Sequence, residues 1–358
     1  MKSNIFGLTL AKLENLLVGE YCAKPFSAKQ LWSWLYCRAA KSFDEMTNIS
    51  KDLRVKLSEK YSCDRPAVID SLVSKDNTVK WLLELEDRKR IELVYIPSYD
   101  RGTLCVSSQV GCAMGCRFCS TGSQGFSRNL EVYEIVQEVI IAKDLLEDWG
   151  NSEIGNGRKI TNIVLMGMGE PLANYDNVME SMRIVNDRNG IAFSNRRITL
   201  STCGIVPKIM DLGKEDLKLN LAISLHATTD EIRKKLMPIA EKYTLDQILE
   251  ACSMYSNNTA HRRITFEYLM IEGINDSAED AKRLVSLVRK YKIPAKFNLI
   301  PFNRWQSCPL DTRPPKNEKI RRFAEFIISA GYPCPIRLSR GQDIMAACGQ
   351  LRASASSN

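Results

Sequence analysis

Three cysteines crowd into the stretch VGCAMGCRFCSTG, Val110 to Gly122. Three residues separate Cys112 from Cys116 and two separate Cys116 from Cys119. Iron–sulfur clusters usually take four cysteines. Three thiolates at this spacing could hold three irons of a cubane and leave the fourth open. An open iron can chelate a small molecule and pass it an electron. The alternatives are a structural zinc site or three core cysteines. Zinc usually takes four ligands, and no fourth Cys or His lies nearby.

Other residues could serve such a centre. In MGMGEP, Met166 to Pro171, Gly167 and Gly169 would let the backbone approach a ligand closely. Glu170 could accept from an ammonium group. A plain strand-to-helix turn explains the motif equally well. Ser201, the trio Ser224, Leu225 and His226, and Asn303 end successive expected strands. Each alone reads as an ordinary polar group at a strand end, and His226, one of two histidines, reads as structural. Cys105, seven residues before the cluster, and Cys348, near the C-terminus, alone read as inert thiols, the commonest role of a lone cysteine.

These residues need a frame. The first 66 residues read as a small helical domain. Leu8, Leu10, Leu13, Leu16 and Leu17 form one apolar face, Ser27 is the expected cap of a second helix, and a third is expected to start at Ser50. Across residues 67–97 the period changes, and TVKWLLELEDRKRIELVYIP, residues 78–97, alternates in polarity with a break at Glu86–Lys89, which predicts a β-hairpin or two-strand extension. The run TLCVSSQVG then predicts a strand leading into the cysteine cluster. From there strand and helix alternate about six times, and a short strand, PIRLS, is expected near the end. That order implies a parallel sheet covered by helices. Six units are too few for an eight-fold barrel, so the α/β fold expected for residues 98–340 is a partial (β/α)6 TIM-like barrel, with a tail at 341–358. Ligands of such folds sit at the C-terminal ends of the strands, where the cysteine loop and the candidate polar residues fall.

Composition bounds the class. Hydrophobic residues at 44% and charged residues at 26% fit a globular protein. The N-terminus reads as an amphipathic helix rather than a signal peptide, and no apolar run is long enough for a bilayer. The expectation is a cytoplasmic protein with no membrane partner. Twelve scattered cysteines do not suggest a disulfide scaffold. The net charge of +8 weakly favours a polyanionic partner. Arg88, Lys89, Arg90, Arg233, Lys234 and Lys235 could track phosphates, although a solvated charged face is the default reading.

The CxxxCxxC spacing resembles the radical S-adenosylmethionine (SAM) superfamily. More specifically, RGTLCVSSQVGCAMGCRFCSTGSQGFSRNL, MGMGEPLAN, RRITLSTCGIVP, LAISLHA and RGQDIMAACGQL resemble the bacterial methyltransferases that modify carbon 2 of adenine in 23S rRNA and tRNA. The resemblance covers most of the chain, including FDEMTNISKDLR. A related family acts on carbon 8 and confers antibiotic resistance; FCSTGSQGFSRNL looks more like the carbon 2 enzymes. The resemblance implies one [4Fe–4S] cluster with an open iron on Cys112, Cys116 and Cys119, and two SAM molecules per turnover. It implies SAM contacts from Gly169, Glu170, Ser201, Ser224, Leu225, His226 and Asn303. It implies that Cys348 accepts a methyl group, which becomes a carbon radical and adds to the base, and that Cys105 resolves the protein–RNA adduct by forming a disulfide with Cys348. Glu92 matches the family's proposed proton acceptor, with Cys105 as the competing choice. A cytoplasmic monomer and an electron donor such as flavodoxin complete the implied picture. Readings from other classes are a radical SAM enzyme with a small-molecule or protein substrate, and a non-enzymatic metal-containing RNA-binding protein.

Overall fold

The computed structural model describes residues 2–149 and 157–353; the last five residues of the tail lie outside these. The N-terminal region packs three helices, α1 (Leu10–Gly19), α2 (Phe26–Tyr36) and α3 (Lys51–Lys60), beside a two-residue parallel pair, β1 (Ser3–Asn4) and β2 (Tyr61–Ser62). Thr9 caps α1 through the Lys12 N–H and Ser50 caps α3 through the Leu53 N–H. The expected cap at Ser27 is corrected: α2 starts at Phe26, after Pro25, without a side-chain cap. Leu13, Leu17, Leu31, Trp32, Leu35 and Tyr36 bury the apolar faces, and the Tyr36 hydroxyl donates to the Phe6 carbonyl at 2.7 Å.

One nine-stranded sheet forms the centre. Three antiparallel strands open it: β3 (Ala67–Val73), β4 (Val79–Glu84) and β5 (Arg90–Pro97). The expected two-strand extension is thus three strands. β3 escaped notice because it is an edge strand exposed along its whole length, and so lacks the alternation that burial of one face imposes. β5 pairs antiparallel with β6 (Gly102–Cys105). A short pair, β7 (Gln109–Gly111) and β8 (Phe126–Asn129), stands apart as its own two-stranded ribbon, with α4 (Ser120–Ser123) between them. The single strand expected for TLCVSSQVG is therefore two. The chain bends at Ser107 and Ser108, where the Ser107 N–H donates to Glu138 and its hydroxyl to the Glu92 carbonyl.

From β6 the sheet is parallel, through β9 (Asn162–Leu165), β10 (Ile198–Thr202), β11 (Asn220–Ser224), β12 (Ile264–Met270) and β13 (Ala295–Pro301). The helices are α5 (Val132–Leu145), α6 (Tyr175–Asn186), α7 (Val206–Lys214), α8 (Asp230–Leu236), α9 (Leu245–Asn258), α10 (Ala278–Lys290) and α11 (Asn317–Ser329). These six parallel strands and their helices make the partial barrel that the alternation implies. Capping boxes start α9 at Thr244 with Gln247 and α10 at Ser277 with Asp280. The expected PIRLS strand reduces to one bridge, Leu299 to Ile336. Among the described residues no helix is long and apolar enough to cross a membrane.

The N-terminal module sits on the barrel's helices. Gln137 of α5 donates to the Asp64 carbonyl at 2.6 Å, and Arg65 pairs with Asp144 at 3.0 Å. A Cβ on Gly190 would stand 2.8 Å from the Trp32 indole nitrogen, so the absence of a side chain there lets α2 seat.

Candidate active site at the strand ends

The cysteine loop is held from both sides. Behind it, the β7–β8 ribbon closes only because Gly111, at φ +74°, carries no side chain: a Cβ would lie 2.0 Å from the Gly125 carbonyl oxygen. The Cys112 N–H donates to that same carbonyl at 2.9 Å. In front, the Arg117 N–H donates to the Leu236 carbonyl at 3.0 Å, and Phe118 meets His226 edge-on, ring centres 4.8 Å apart. Trp305 donates its indole N–H to the Phe118 carbonyl at 3.2 Å. The loop thus rests on the ends of β11 and β13.

The three thiols lie within electrostatic reach of one another. Burial pushes Cys112 up to about 12 and Cys116 well above the thiol range, and neighbouring cysteines add to both. Burial also raises Cys119, against hydrogen bonds from the Gly122 and Thr121 N–H groups. A metal must therefore displace protons on binding. No trio of His, Cys, Asp or Glu among the described residues is placed to hold a single metal ion. Three thiols on one loop are the donor set that a cubane with one open iron would take.

MGMGEP is a turn packed on the neighbouring strand. A Cβ on Gly167 would stand 2.6 Å from the Val106 carbonyl, and one on Gly169, at φ +100°, 2.6 Å from the Gln109 Cβ. Both glycines thus serve close backbone packing within the chain. Glu170 is buried; its carboxylate accepts the Leu172 N–H at 3.0 Å and the Cys203 N–H at 2.8 Å. Burial raises its pKa, against the pull of those bonds. Ser201, Leu225 and His226 are buried and Ser224 is half-buried, at the ends of β10 and β11. His226 Nδ1 accepts the Leu269 N–H at 3.0 Å, and burial, with Arg233 beside it, lowers its pKa to about 3. It is a neutral acceptor that binds two strand ends together.

The tail docks on the same loop. The Ser120 N–H donates to the Gly349 carbonyl at 2.7 Å, the Thr121 hydroxyl to Leu351 at 2.7 Å and the Gln124 amide to Ala353 at 2.8 Å. Asn303, expected to face SAM, donates to the Cys348 carbonyl at 3.3 Å and accepts from Ser339 and Gln342. Cys348 is exposed to solvent yet ringed by protein, whose low polarity, with Glu267 nearby, pushes its thiol up to about 11. Cys105, at the end of β6, is buried; desolvation raises its thiol strongly, and the nearby Cys348 raises it further. Glu92 is buried between Lys80 at 2.9 Å and the Arg352 N–H at 2.7 Å.

Several participants escaped the sequence reading. Glu267 accepts from Asn298 at 2.7 Å inside the barrel. Cys203 belongs to the apolar cluster against which Cys116 packs. Arg233, read as a solvated or phosphate-tracking cation, is fully buried. Lys234 and Lys235 do face outward, paired with Glu241 and Glu231.

Comparison with known proteins shows the family. Residues 106–285 match the radical SAM superfamily, and residues 3–62 match the ribosomal RNA large subunit methyltransferase N-terminal domain. The chain is 50% identical to a dual-specificity RNA methyltransferase RlmN of Zymomonas mobilis over 327 residues, 91% of this chain and 82% of that protein. It is 48% identical to the protein of that name from Rhodopseudomonas palustris over 361 residues, 98% of this chain and 89% of the relative. It is also similar to the crystal structure of a radical SAM methyltransferase from Sphaerobacter thermophilus, with a TM-score of 0.90 at 40% identity, over 98% of this chain and 100% of that one.

Proposed function

The chain belongs to the dual-specificity RNA methyltransferases of the radical SAM superfamily, and on that premise we propose that it methylates carbon 2 of an adenine in 23S rRNA and in tRNA. Carbon 2 is electrophilic and cannot displace a methyl group from SAM, so the transfer needs radical chemistry. Cys112, Cys116 and Cys119 would hold a [4Fe–4S] cluster whose electron, passed to bound SAM, supplies the radical.

The chain's own residues do the rest. Gly169, Glu170, Ser201, Ser224, Leu225, His226 and Asn303 form the SAM-facing rim. Cys348 carries the methyl group and joins it to the base. Cys105 then attacks the Cys348 sulfur as a thiolate: the S–S bond forms, the bond from the Cys348 sulfur to the methylene on the base breaks, and that methylene takes up a proton to become the methyl group of the released base. Cys105, displaced from water, rests as a thiol; only after it gives up that proton can its thiolate compete with Glu92 to receive the carbon 2 proton. Both cysteines must be reduced again for turnover, which suits a cytoplasmic monomer served by a donor such as flavodoxin.

One observation carries the reading: the segment that bears Cys348 docks on the cysteine loop, where the Ser120 N–H donates to the Gly349 carbonyl at 2.7 Å, and the charge of Cys348 acts on the buried Cys105 at the end of β6. The test is mass spectrometry of rRNA and tRNA nucleosides after anaerobic incubation with SAM and a reductant. 2-Methyladenosine is expected. 8-Methyladenosine would transfer the chain to the carbon 8 family, and no methylated adenosine would refute the proposal. Cys105→Ala is expected to trap a covalent RNA adduct.

A further inference from the structure

Arg233 lies in α8 and is fully buried. A guanidinium stays charged in proteins, and burying one without a counter-charge is costly. Its hydrogen bonds go only to carbonyls. Nε donates to Leu225 at 3.3 Å, and Nη2 to Cys203 at 2.5 Å and Ser224 at 3.3 Å. Nη1 is buried with no hydrogen-bond partner. Among the described residues no ion pair includes Arg233. Asp230, on the same helix, instead accepts the Leu245 N–H at 2.7 Å.

What faces this cation is the cysteine loop. Leu236, one turn along α8, accepts the Arg117 N–H at 3.0 Å. A Cβ on Gly115 would meet the Pro238 ring at 3.6 Å. Cys116 packs against the apolar cluster that includes Cys203, Leu236 and Met237. The ionisable groups that act most on Arg233 are Cys203 and Cys116, after the desolvation that opposes its charge.

We infer that Arg233 is the internal counter-charge of the iron–sulfur centre, a positioning residue that joins the ends of β10 and β11 and raises the centre's reduction potential. The inference rests on the cluster assignment made above. Three thiolates on a doubly positive core leave one net negative charge, and one-electron reduction doubles it. A buried cation beside Cys116 stabilises the reduced form more than the oxidised one, because net charge sets these potentials. The same bonds fix the carbonyls of Cys203, Ser224 and Leu225, so removing the side chain also loosens two strand ends of the SAM-facing rim.

The experiment uses the full-length protein, reconstituted anaerobically with iron and sulfide, without SAM or RNA. Iron content and midpoint potential, from a redox titration followed by electron paramagnetic resonance, are read for wild type, Arg233→Gln and Arg233→Lys. The glutamine variant is expected to favour the oxidised state at least tenfold, which for one electron is about 59 mV to the negative. The lysine variant keeps the charge and should stay near wild type. Should Arg233→Gln not fold, Cys252→Asp places a carboxylate on a buried neighbour that Arg233 already senses; it should neutralise the cation and give the same negative shift. A loaded glutamine or aspartate variant with the wild-type potential would overturn the inference. A wild-type protein that takes up no iron would overturn the cluster assignment itself, and this inference with it.

Discussion

The tail that carries Cys348 is gripped by the turn between β3 and β4, and Asp76 is the residue to remove. Its carboxylate accepts the Gly341 N–H at 3.0 Å and the Thr78 N–H at 2.9 Å, and stands 3.6 Å from Arg340 Nε. Partial burial raises its pKa, but hydrogen bonds from Thr78, Gly341 and Ser74 outweigh this and hold it at about 2. The depression from the ordinary 3.8 corresponds to roughly 2.5 kcal/mol. The side chain keeps 28% of its exposure, so screening brings the net contribution to about 1–2 kcal/mol. The Thr78 and Ser74 bonds lie within the turn itself, so the tail feels chiefly the Gly341 bond, about 1 kcal/mol, and Asp76→Ala should raise the undocked population of the tail roughly 5-fold. Hydrogen–deuterium exchange reads this at Ala346, whose N–H donates to Gly341, and at Arg352, whose N–H donates to Glu92. Asp76→Asn keeps the acceptor without its charge and should fall between. The sign with pH is set by the depressed pKa: the grip is complete above the ordinary carboxylate range and is lost as pH falls through about 2. Unchanged exchange at these amides, or an equal rise along β12 and β13, would refute the reasoning.

Two further outcomes follow from the site. His226 has its pKa lowered to about 3 by burial and by Arg233, so its contribution is present above the ordinary value near 6.5 and is lost as pH falls toward 3. Between pH 7 and pH 5 the wild type should lose about 2 kcal/mol more than His226→Gln; parallel urea midpoints at both pH values would contradict this. Gly111→Ala cannot close the β7–β8 ribbon at φ +74° against the Gly125 carbonyl, so iron uptake should fall sharply while far-ultraviolet circular dichroism stays near wild type, and full iron loading would count against the ribbon's role.

Much of the frame was legible because burial writes periodicity. The six parallel strands and their helices emerged from alternation, and the cysteine loop falls after the first parallel strand, as its sequence position implied. What escaped obeyed other rules. β3 has no buried face, so Val68, Ile69, Leu72 and Val73 show no alternation to read. Ser107 and Ser108 break a strand because their backbone and hydroxyls bond to Glu138, Glu92 and Met168, partners remote in sequence. Arg233 sits in a run of cations, and composition cannot tell the one that turns inward from Lys234 and Lys235 beside it. The glycines of MGMGEP show the reverse case. A cradle for a ligand and close packing on Val106 and Gln109 require the same missing side chain, and only the fold separates them.

The long sheet has two free ends, β13 and β3, and the C-terminal segment ties one to the other. It begins along β13, where Pro333 and Pro335 accept from Phe297 and Leu299 and the Arg337 N–H donates to Leu299. It crosses to the far side, where Arg340 donates to the Pro97 carbonyl at 2.8 Å and Gly341 meets Asp76. The segment is a buckle across an otherwise open seam, and Cys348 rides on it. An excursion that carries the sulfur outward unfastens the seam in the same movement. The edge of the sheet and the Cys348 sulfur therefore share one fastening, so whatever loosens the Asp76 contact at the β3–β4 turn is felt at the sulfur.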